Sequence, residues 1–384
     1  MNPMNHKPSP TLEKVVLEAE DFLPLLGTDH IELYCGNAKQ SAHYYMTAWG
    51  YKPVAYSGLE TGNKTSVSYV LRQDKITLLL TSPLQAGGPI NDHINRHGDG
   101  VKAVALWVDD AAKSYAETTS RGAVSVFEPE VREDAHGRVV LSAIETYGDT
   151  IHVFVERKEY GGVFLPGYEA WNPTVPVESV GLEYVDHMVG NVGWGEMNTW
   201  VDFYARVMGF AQLISFDDKD ISTEYTALMS KVMSNGNGRI KFPINEPLQP
   251  FFKEGQINKF VEDNWGAGVQ HIALLVDDVC EAVKTLRSRN IEFLNTPGVY
   301  YDAAPSRLES QGVSVENIDH SMAQLKELGE ADEQTREEID LLFELIDLDS
   351  NGLLSLTEVK MGLKTLQKRG VDVRLSAKNV ILSA

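Results

Sequence analysis

Two histidines of this 384-residue chain stand on short apolar runs of the kind that form strands. They are His187 in VDHMVGN and His271 in GVQHIAL. A single histidine on a strand is more often a core residue with satisfied hydrogen bonds than a metal ligand. Two histidines at paired strand positions of a duplicated fold indicate instead a divalent metal ion held by imidazole nitrogens. We therefore expect both rings on one concave face of a sheet.

A second metal-binding pattern covers residues 347–358, DLDSNGLLSLTE. Oxygen ligands at alternate positions, a glycine for the sharp turn and a closing glutamate are what seven-coordinate Ca²⁺ requires. Apolar residues at helical spacing predict a helix on each side of this loop. The pattern predicts an EF-hand that binds Ca²⁺ with a Kd of about 10⁻⁷ to 10⁻⁵ M. Its expected ligands are Asp347, Asp349, Asn351, Leu353 through its carbonyl, Ser355 and Glu358.

EF-hands normally occur in pairs, but the stretch after Gly370, VDVRLSAKNVILSA, contains no second loop. Pairing across a homodimer, docking on the rest of the chain, and truncation of a tandem all remain open. Just before the loop, Glu344 in LFELI follows His271 at a distance that suits a further metal ligand. Its context is helical and it points away from the apolar face of the helix, so we expect a solvated residue.

Two other patterns are interpreted as structural. His93 and His97 in NDHINRHGDG have the spacing of a helical metal site, but the stretch is polar and bounded by glycine. Because no carboxylate stands at metal spacing beside them, we expect a surface loop. Residues 234–239, SNGNGR, lack the lysine and the helix of a phosphate-binding loop and predict a hairpin turn.

The elements that would position these residues occur twice. Residues 27–57 resemble residues 184–216, since each begins with Asp-His on an apolar run and continues into a helix and a strand. Residues 98–129 resemble residues 266–297, since each has an apolar run that ends in Val-Asp-Asp before an amphipathic helix. The repeats predict an α+β chain of two tandem modules, each a doubled strand–helix–strand unit with a concave, ligand-binding face.

The first aspartate of each Val-Asp-Asp, Asp109 and Asp277, is the predicted helix N-cap. After about residue 325 the sequence becomes acidic, rich in leucine and helical in pattern. The second module therefore lacks the strands that close the first. The predicted organisation is a 1–24 extension, a 25–160 first module, a 161–179 linker, a 180–325 second module truncated at its C-terminal end, and a 326–384 EF-hand region.

Composition excludes several classes of partner. The formal net charge of −21 argues against a nucleic acid or an anionic membrane surface, because both require basic residues. The two cysteines, Cys35 and Cys280, are far apart and suit a reducing compartment. The N-terminal residues resemble no signal peptide and no run of 18 apolar residues occurs, so we expect a cytoplasmic protein.

Seven segments together carry a family resemblance. They are DHIELYCGNAKQSAHYY, GDGVKAVALWVDD, YGDTIHVFVE, VDHMVGNV, FPINEP, GAGVQHIAL and TPGVYYD, in this order. From about residue 25 to 325 the chain resembles the 4-hydroxyphenylpyruvate dioxygenase family of the vicinal-oxygen-chelate superfamily. The resemblance implies two glyoxalase/dioxygenase-like modules, followed here by the helical EF-hand.

The resemblance implies an Fe(II) enzyme of tyrosine catabolism that converts 4-hydroxyphenylpyruvate, an aromatic keto acid, and O₂ into homogentisate and CO₂. By this likeness His187 and His271 are iron ligands. In the first module His30 takes the first of these places but Ala103 takes the second, so that module is expected to hold no metal. The polar pocket residues that orient the substrate would be Ser230, Asn245, Gln256 and Gln270.

The chain departs from the family at its third iron ligand, a glutamate on the closing strand of the second module. We take Glu156 as its counterpart in the first module, and the corresponding part of the second module has no match. Loss of this ligand predicts weak iron binding and weak or lost activity. Two alternatives remain: a non-catalytic scaffold with a calcium-dependent interaction function, and a relative of 4-hydroxymandelate synthase. A gene model that joins two separate coding units would also explain the change in sequence character.

Overall fold

A computed structural model describes residues 21–174, 177–216, 228–247, 255–293, 301, 304–305 and 321–329. The predicted calcium loop at 347–358 and Glu344 lie outside these residues. The chain divides into one compact unit that ends at Asn290 and a second that begins at Ile291. The described part of the second unit includes the helix α7, Met322–Gly329.

A nine-stranded sheet forms the first part of the larger unit. Its strands are β1 Leu25–Tyr34, β2 Lys52–Ser57, β3 Ser66–Gln73, β4 Ile76–Pro83, β5 Gly100–Val108, β6 Ser125–Asp134, β7 Gly137–Glu145, β8 Ile151–Glu156 and β9 Glu169–Ala170. They lie in the order β6-β7-β8-β5-β1-β4-β3-β2-β9. β1 pairs in parallel with β4, and β5 in parallel with β8, while β1 and β5 are antiparallel. Each half of the sheet therefore repeats the other, as the sequence repeats predict.

Three helices accompany this sheet: α1 Ala38–Thr47, α2 Pro89–His97 and α3 Ala111–Ser120. One face of the sheet carries an apolar cluster that includes Ala105 of β5 and Val155 of β8. Phe164 and Leu165, from the segment predicted as a linker, are buried in the same cluster. Apolar burial of this kind is the main favourable contribution to folding.

A second sheet has the strands β10 Leu182–Asn191, β11 Ala211–Phe216, β12 Leu228–Ser234, β13 Lys241–Pro247 and β14 Gly268–Val276. Its order is β11-β12-β13-β10-β14. β10 pairs in parallel with β13 and antiparallel with β14, as β1 pairs with β4 and β5. No described residue pairs with the far edge of β14, where the first sheet has β8 beside β5. The α+β fold with two tandem modules is confirmed.

The helices of the second module are α4 Met197–Arg206, α5 Gln256–Asp263 and α6 Val279–Ser288. The N-caps of α3 and α6 are Asp110 and Asp278, whose side chains accept hydrogen bonds from the main-chain N–H three residues on. The predicted caps, Asp109 and Asp277, are wrong by one residue because the helix starts one residue later. The predicted turn at 234–239 does connect two antiparallel strands, β12 and β13. No helix in the described ranges is long and apolar enough to cross a membrane.

Tyr204 of α4 joins the two modules. Its fully buried hydroxyl lies 2.8 Å from Nε2 of His152 on β8 and 3.2 Å from the hydroxyl of Thr146. Gly148 lies in the turn between β7 and β8 with a φ of +60°, and a Cβ there would collide with the carbonyl oxygen of Ala267. The modules therefore meet through a polar contact and a close main-chain approach.

Candidate metal centre

The two predicted iron ligands lie on neighbouring antiparallel strands. His187 of β10 is opposite Ala273 of β14, and His271 of β14 is opposite Val189 of β10. The ring centroids of the two histidines are 5.8 Å apart and the rings meet edge to face. The predicted approach of the two imidazoles on one face of the sheet is therefore observed.

Each histidine follows a residue that has no opposite partner in the ladder. The register between β10 and β14 shifts across Asp186, and it shifts again across Gln270. In a regular strand, consecutive side chains point to opposite faces, but a β-bulge bends the strand and redirects them. The bulges thus allow Asp186 to contact His187, and Gln270 to contact His271.

Hydrogen bonds at these bulges orient both imidazoles. Nδ1 of His187 lies 2.8 Å from Oδ2 of Asp186, and Nδ1 of His271 lies 2.7 Å from Oε1 of Gln270. A carboxylate or amide oxygen can only accept, so each Nδ1–H donates and each Nε2 keeps its lone pair. Partners of this type are typical of histidines that bind metals. Lys241 donates to Oδ1 of Asp186 at 2.6 Å and holds that carboxylate in turn.

The surroundings favour a neutral imidazole at His271 and an ionised carboxylate at Asp186. Burial opposes ionisation of Asp186, yet hydrogen bonds from His187 and Lys241 hold the pKa of its carboxyl below the ordinary value. Desolvation, and then the neighbouring imidazole of His187, lowers the pKa of His271. A neutral imidazole can donate its lone pair to a metal ion, so the pair fits a divalent ion chemically.

Within the described residues, no third protein ligand lies beside this pair. The one described group of three His, Cys, Asp or Glu side chains at metal-binding distances lies elsewhere in the structure. The choice of Glu156 as the first-module counterpart of the missing ligand is wrong. Its carboxylate accepts a hydrogen bond from the main-chain N–H of Ala111 at 3.1 Å, at the start of α3. Val155, the preceding residue of β8, belongs to the apolar cluster on one face of the sheet. Successive side chains of a strand point to opposite faces, so Glu156 points away from that cluster.

The corresponding place in the first module has a different environment. The ring of His30 meets that of Phe164 edge to face at 5.1 Å, and its Nδ1 lies 2.6 Å from Oδ1 of Asp29. Arg157 also binds Asp29, through two hydrogen bonds of 2.6 and 2.7 Å. Ala103, which is fully buried, stands where His271 stands in the second module. That the first module holds no metal stays a prediction.

The predicted substrate-binding residues fall into three places. Ser230 and Asn245 are buried cross-strand neighbours on β12 and β13. Gln270 contacts His271, as described above. Gln256 is the exposed first residue of α5, and no hydrogen bond described in the structure connects it to the other three.

Asn191 is a polar residue of this site that the sequence analysis missed. It is fully buried at the end of β10, beside Asn245 in the parallel pairing, and its Oδ1 accepts a hydrogen bond from Asn245 at 3.3 Å. Its Nδ2 has no hydrogen-bond partner among the described residues. The only signal was an asparagine that ends the apolar run VDHMVGN, four residues after His187.

The prediction of a surface loop at His93 and His97 is wrong. Both residues lie on α2, His93 is buried, and the turn after β7 brings the carboxylate of Asp149 to them. A carboxylate more than fifty residues away cannot be recognised from local spacing, which is why the cluster was missed.

The fold and the paired histidines define a member of the vicinal-oxygen-chelate superfamily. The family model described as Glyoxalase/Bleomycin resistance protein/Dioxygenase superfamily matches residues 184–306. The 4-hydroxyphenylpyruvate dioxygenase of Coccidioides posadasii is 39% identical over 365 residues, which covers 90% of this chain and 86% of that protein. The enzyme of the same name from Danio rerio is 41% identical over 315 residues and covers 80% and 79%. The chain therefore belongs to the 4-hydroxyphenylpyruvate dioxygenase family.

Solved structures agree on the fold. A triple mutant of 4-hydroxymandelate synthase from Streptomyces coelicolor superposes with a TM-score of 0.67 at 24% identity, over 80% of this chain and 84% of that one. A fusion of a xylose isomerase-like TIM barrel with a 4-hydroxyphenylpyruvate dioxygenase gives a TM-score of 0.56 at 18% identity, over 80% and 44%. At these identities the likeness supports the fold alone.

Proposed function

We propose that the protein is an Fe(II)-dependent dioxygenase that converts 4-hydroxyphenylpyruvate and O₂ into homogentisate and CO₂. The proposed role is in tyrosine catabolism, and the proposed location is the cytoplasm. The observation that carries the proposal is the close approach of His187 and His271, each with Nδ1 engaged and Nε2 available. Membership of the family supplies the substrate class. Bound iron would serve as a Lewis acid for the keto acid and as the site of O₂ chemistry.

The described residues support this function in two ways. Asp186 and Gln270 fix the tautomer of each ligand histidine, so that Nε2 is presented to the ion without rearrangement. The buried amides of Asn191 and Asn245 lie on the same sheet, and Nδ2 of Asn191, which has no hydrogen-bond partner among the described residues, could donate to an oxygen of the substrate. Buried polar groups of this kind orient a ligand in an otherwise apolar pocket.

We propose further that iron binds weakly because the closing glutamate of the family is missing. A two-histidine centre lacks the carboxylate that offsets one unit of the ion's charge. Since changes to the partners of ligands alone cost about 10- to 100-fold in affinity or activity, loss of a ligand should cost more. Activity is therefore expected to depend on added Fe(II).

Calcium binding by residues 347–358 is a separate proposal, supported by the spacing of the oxygen ligands and the two predicted helices. We also propose a homodimer in which two such loops pair, because EF-hands normally occur in pairs. Light scattering of the full chain with and without Ca²⁺ tests it, and a monomer under both conditions would exclude it.

The decisive measurement of catalysis is O₂ uptake with 4-hydroxyphenylpyruvate and added Fe(II), with chromatography of the product. We expect iron-dependent uptake and homogentisate, both lost in His187→Ala and His271→Ala. His43→Ala, at an exposed position of α1, is the matched control and should keep the activity. Formation of 4-hydroxymandelate would identify the protein as a relative of 4-hydroxymandelate synthase. If no O₂ is consumed at saturating Fe(II), the result would favour the non-catalytic scaffold.

A further inference from the structure

A second cluster of metal-ligating side chains lies outside the His187–His271 pair. His93 and His97 are one turn apart on α2, and Asp149 lies in the turn between β7 and β8. The candidate ligand atoms of these three residues all lie within 4.8 Å of one another. We propose that they bind a divalent transition-metal ion of the zinc class at a site separate from the iron centre.

His93 is a buried residue whose ring nitrogens have no hydrogen-bond partner among the described residues. Its side chain is 9% exposed, and its ring contacts the rings of Tyr34 and His97 at centroid distances of 5.3 and 4.5 Å. In the described part of the chain, no hydrogen bond reaches either of its ring nitrogens. Burial lowers the pKa of His93 to about 4, so the ring is neutral near pH 7. A neutral imidazole whose nitrogens make no hydrogen bond to the described residues is suited to coordinate a cation.

His97 already has the hydrogen bond that prepares a histidine for a metal. Its Nδ1 lies 2.5 Å from the main-chain carbonyl oxygen of Asn264, so Nδ1–H donates. Its Nε2 lies 2.7 Å from Oδ2 of Asp149 in a hydrogen bond that holds a proton between the two atoms, and a metal ion would displace that proton. Metal-binding histidines regularly donate their other N–H to a main-chain carbonyl in this way.

Asp149 retains a free oxygen for the ion. Arg96 and His97 both contact Oδ2, and Lys102 donates to the main-chain carbonyl of Asp149 rather than to its carboxylate. Oδ1 has no hydrogen bond to any described residue. Two imidazoles and one carboxylate form a ligand set used for zinc and for non-haem iron. The charge of Arg96 opposes a cation here, so removal of Arg96 should strengthen metal binding.

The site has room for further ligands and connects the two modules. Its three residues line a cavity of about 480 Å³ whose wall also includes Gln270 and His271. An ion with three protein ligands keeps a position open for water or a small ligand. Because His97 also contacts the carbonyl oxygen of Asn264, the ion would lie beside a contact between α2 and the turn that leads into β14.

Zinc binding by the full chain tests the proposal. The metal-free protein is dialysed against Zn²⁺ in excess Mg²⁺ and Ca²⁺, which keep the calcium loop occupied, and bound zinc is measured by mass spectrometry. The variant with both His187→Ala and His271→Ala removes the iron centre and should still bind one zinc per chain. Adding His93→Ala or Asp149→Asn should raise the zinc Kd by more than about 100-fold, since even partners of ligands contribute 10- to 100-fold.

Two controls separate the site from general effects. His43→Ala should leave zinc binding unchanged, and Arg96→Ala should lower the zinc Kd. Asp149→Asn preserves the shape of the side chain. It serves as the test variant if circular dichroism shows that His93→Ala misfolds. Zinc binding that survives both His93→Ala and Asp149→Asn, or is absent when only the iron ligands are removed, would overturn the proposal. Neither result depends on whether the chain turns over 4-hydroxyphenylpyruvate.

Discussion

Nδ1 of His187 lies 2.8 Å from Oδ2 of Asp186, the residue immediately before it in β10. Consecutive residues of a regular strand do not make this contact, and it exists here because β10 bulges at Asp186. The first module repeats it between Asp29 and His30 at 2.6 Å. A local irregularity, present twice, therefore sets the orientation of a candidate metal ligand.

Asp186→Asn should weaken iron binding without unfolding the protein. The amide can donate as well as accept, so it no longer forces the proton of His187 onto Nδ1. We expect the Fe(II) dissociation constant to rise about 10- to 100-fold, as for other residues that orient metal ligands. Anaerobic calorimetry measures the change. Asp202→Asn, on the exposed surface of α4, is the control, and an equal effect of both substitutions would contradict the role of Asp186.

Arg157→Ala should destabilise the first module strongly. Arg157 makes two hydrogen bonds to Asp29, whose side chain is only 6% exposed, and a third to the carbonyl oxygen of Phe164 at 2.6 Å. Removal of one partner of a buried ion pair costs about 3–5 kcal/mol, because the other charge stays buried. Urea denaturation gives the free energy of unfolding.

The exposed pair of Arg132 and Glu130 supplies the comparison for Arg157→Ala. Arg132→Ala should cost less than about 1 kcal/mol, because solvent screens exposed pairs. If the two substitutions cost the same, the buried pair does not contribute as the structure indicates.

Acid should destabilise the protein through His152. This ring is fully buried, and burial lowers its pKa from 6.5 to about 4. The unfolded chain therefore binds more protons between pH 6.5 and 4, so the stabilising contribution is complete above pH 6.5 and is lost as the pH falls toward 4. The slope is at most about 1.4 kcal/mol per pH unit for one proton.

The variant His152→Asn tests this prediction, because it keeps a polar group near the hydroxyl of Tyr204 but does not titrate. The difference in unfolding free energy between the two proteins, measured by urea denaturation from pH 7 to 5, should shrink as the pH falls. A constant difference would show that His152 does not titrate on unfolding.

Glu358→Gln should abolish calcium binding by residues 347–358. A glutamate at the last position of the loop supplies two oxygens to the ion, and glutamine can supply one neutral oxygen. Calorimetry of the full chain should show heat for the wild type and none for the variant. Glu344→Gln, outside the loop pattern, should bind calcium as the wild type does. Absence of heat from the wild-type chain would refute the EF-hand.

Repeated patterns made most of the fold predictable. The strand–helix–strand units at 27–57 and 184–216 carry the same alternation of apolar runs and amphipathic helices, and the first strand of each pairs in parallel with a later strand of its own module. Helix starts were less predictable, since Asp109 and Asp110 are both acceptable caps by type. Only the main-chain path decides that Asp110 caps α3.

The candidate sites divide in the same way. His187 and His271 were predictable because each lies on a strand and the modules are duplicated, and duplication places corresponding residues on corresponding faces. Asn191, whose buried Nδ2 has no hydrogen-bond partner among the described residues, was not predictable, because a polar residue at the end of an apolar run has no distinctive spacing. The carboxylate of Asp149 was hidden from local spacing for the same reason.

The two-module architecture and the strands that carry His187 and His271 follow from periodicity and repetition along the chain, and the family follows from the resemblance of seven sequence segments. The tertiary structure alone decided the bulges that turn Asp186 and Gln270 toward those rings. It also decided the meeting of His93 and His97 with Asp149. Bulges depend on how two strands register against each other, and such clusters depend on which turns the folded sheet brings together. Neither property is contained in the local pattern of side chains.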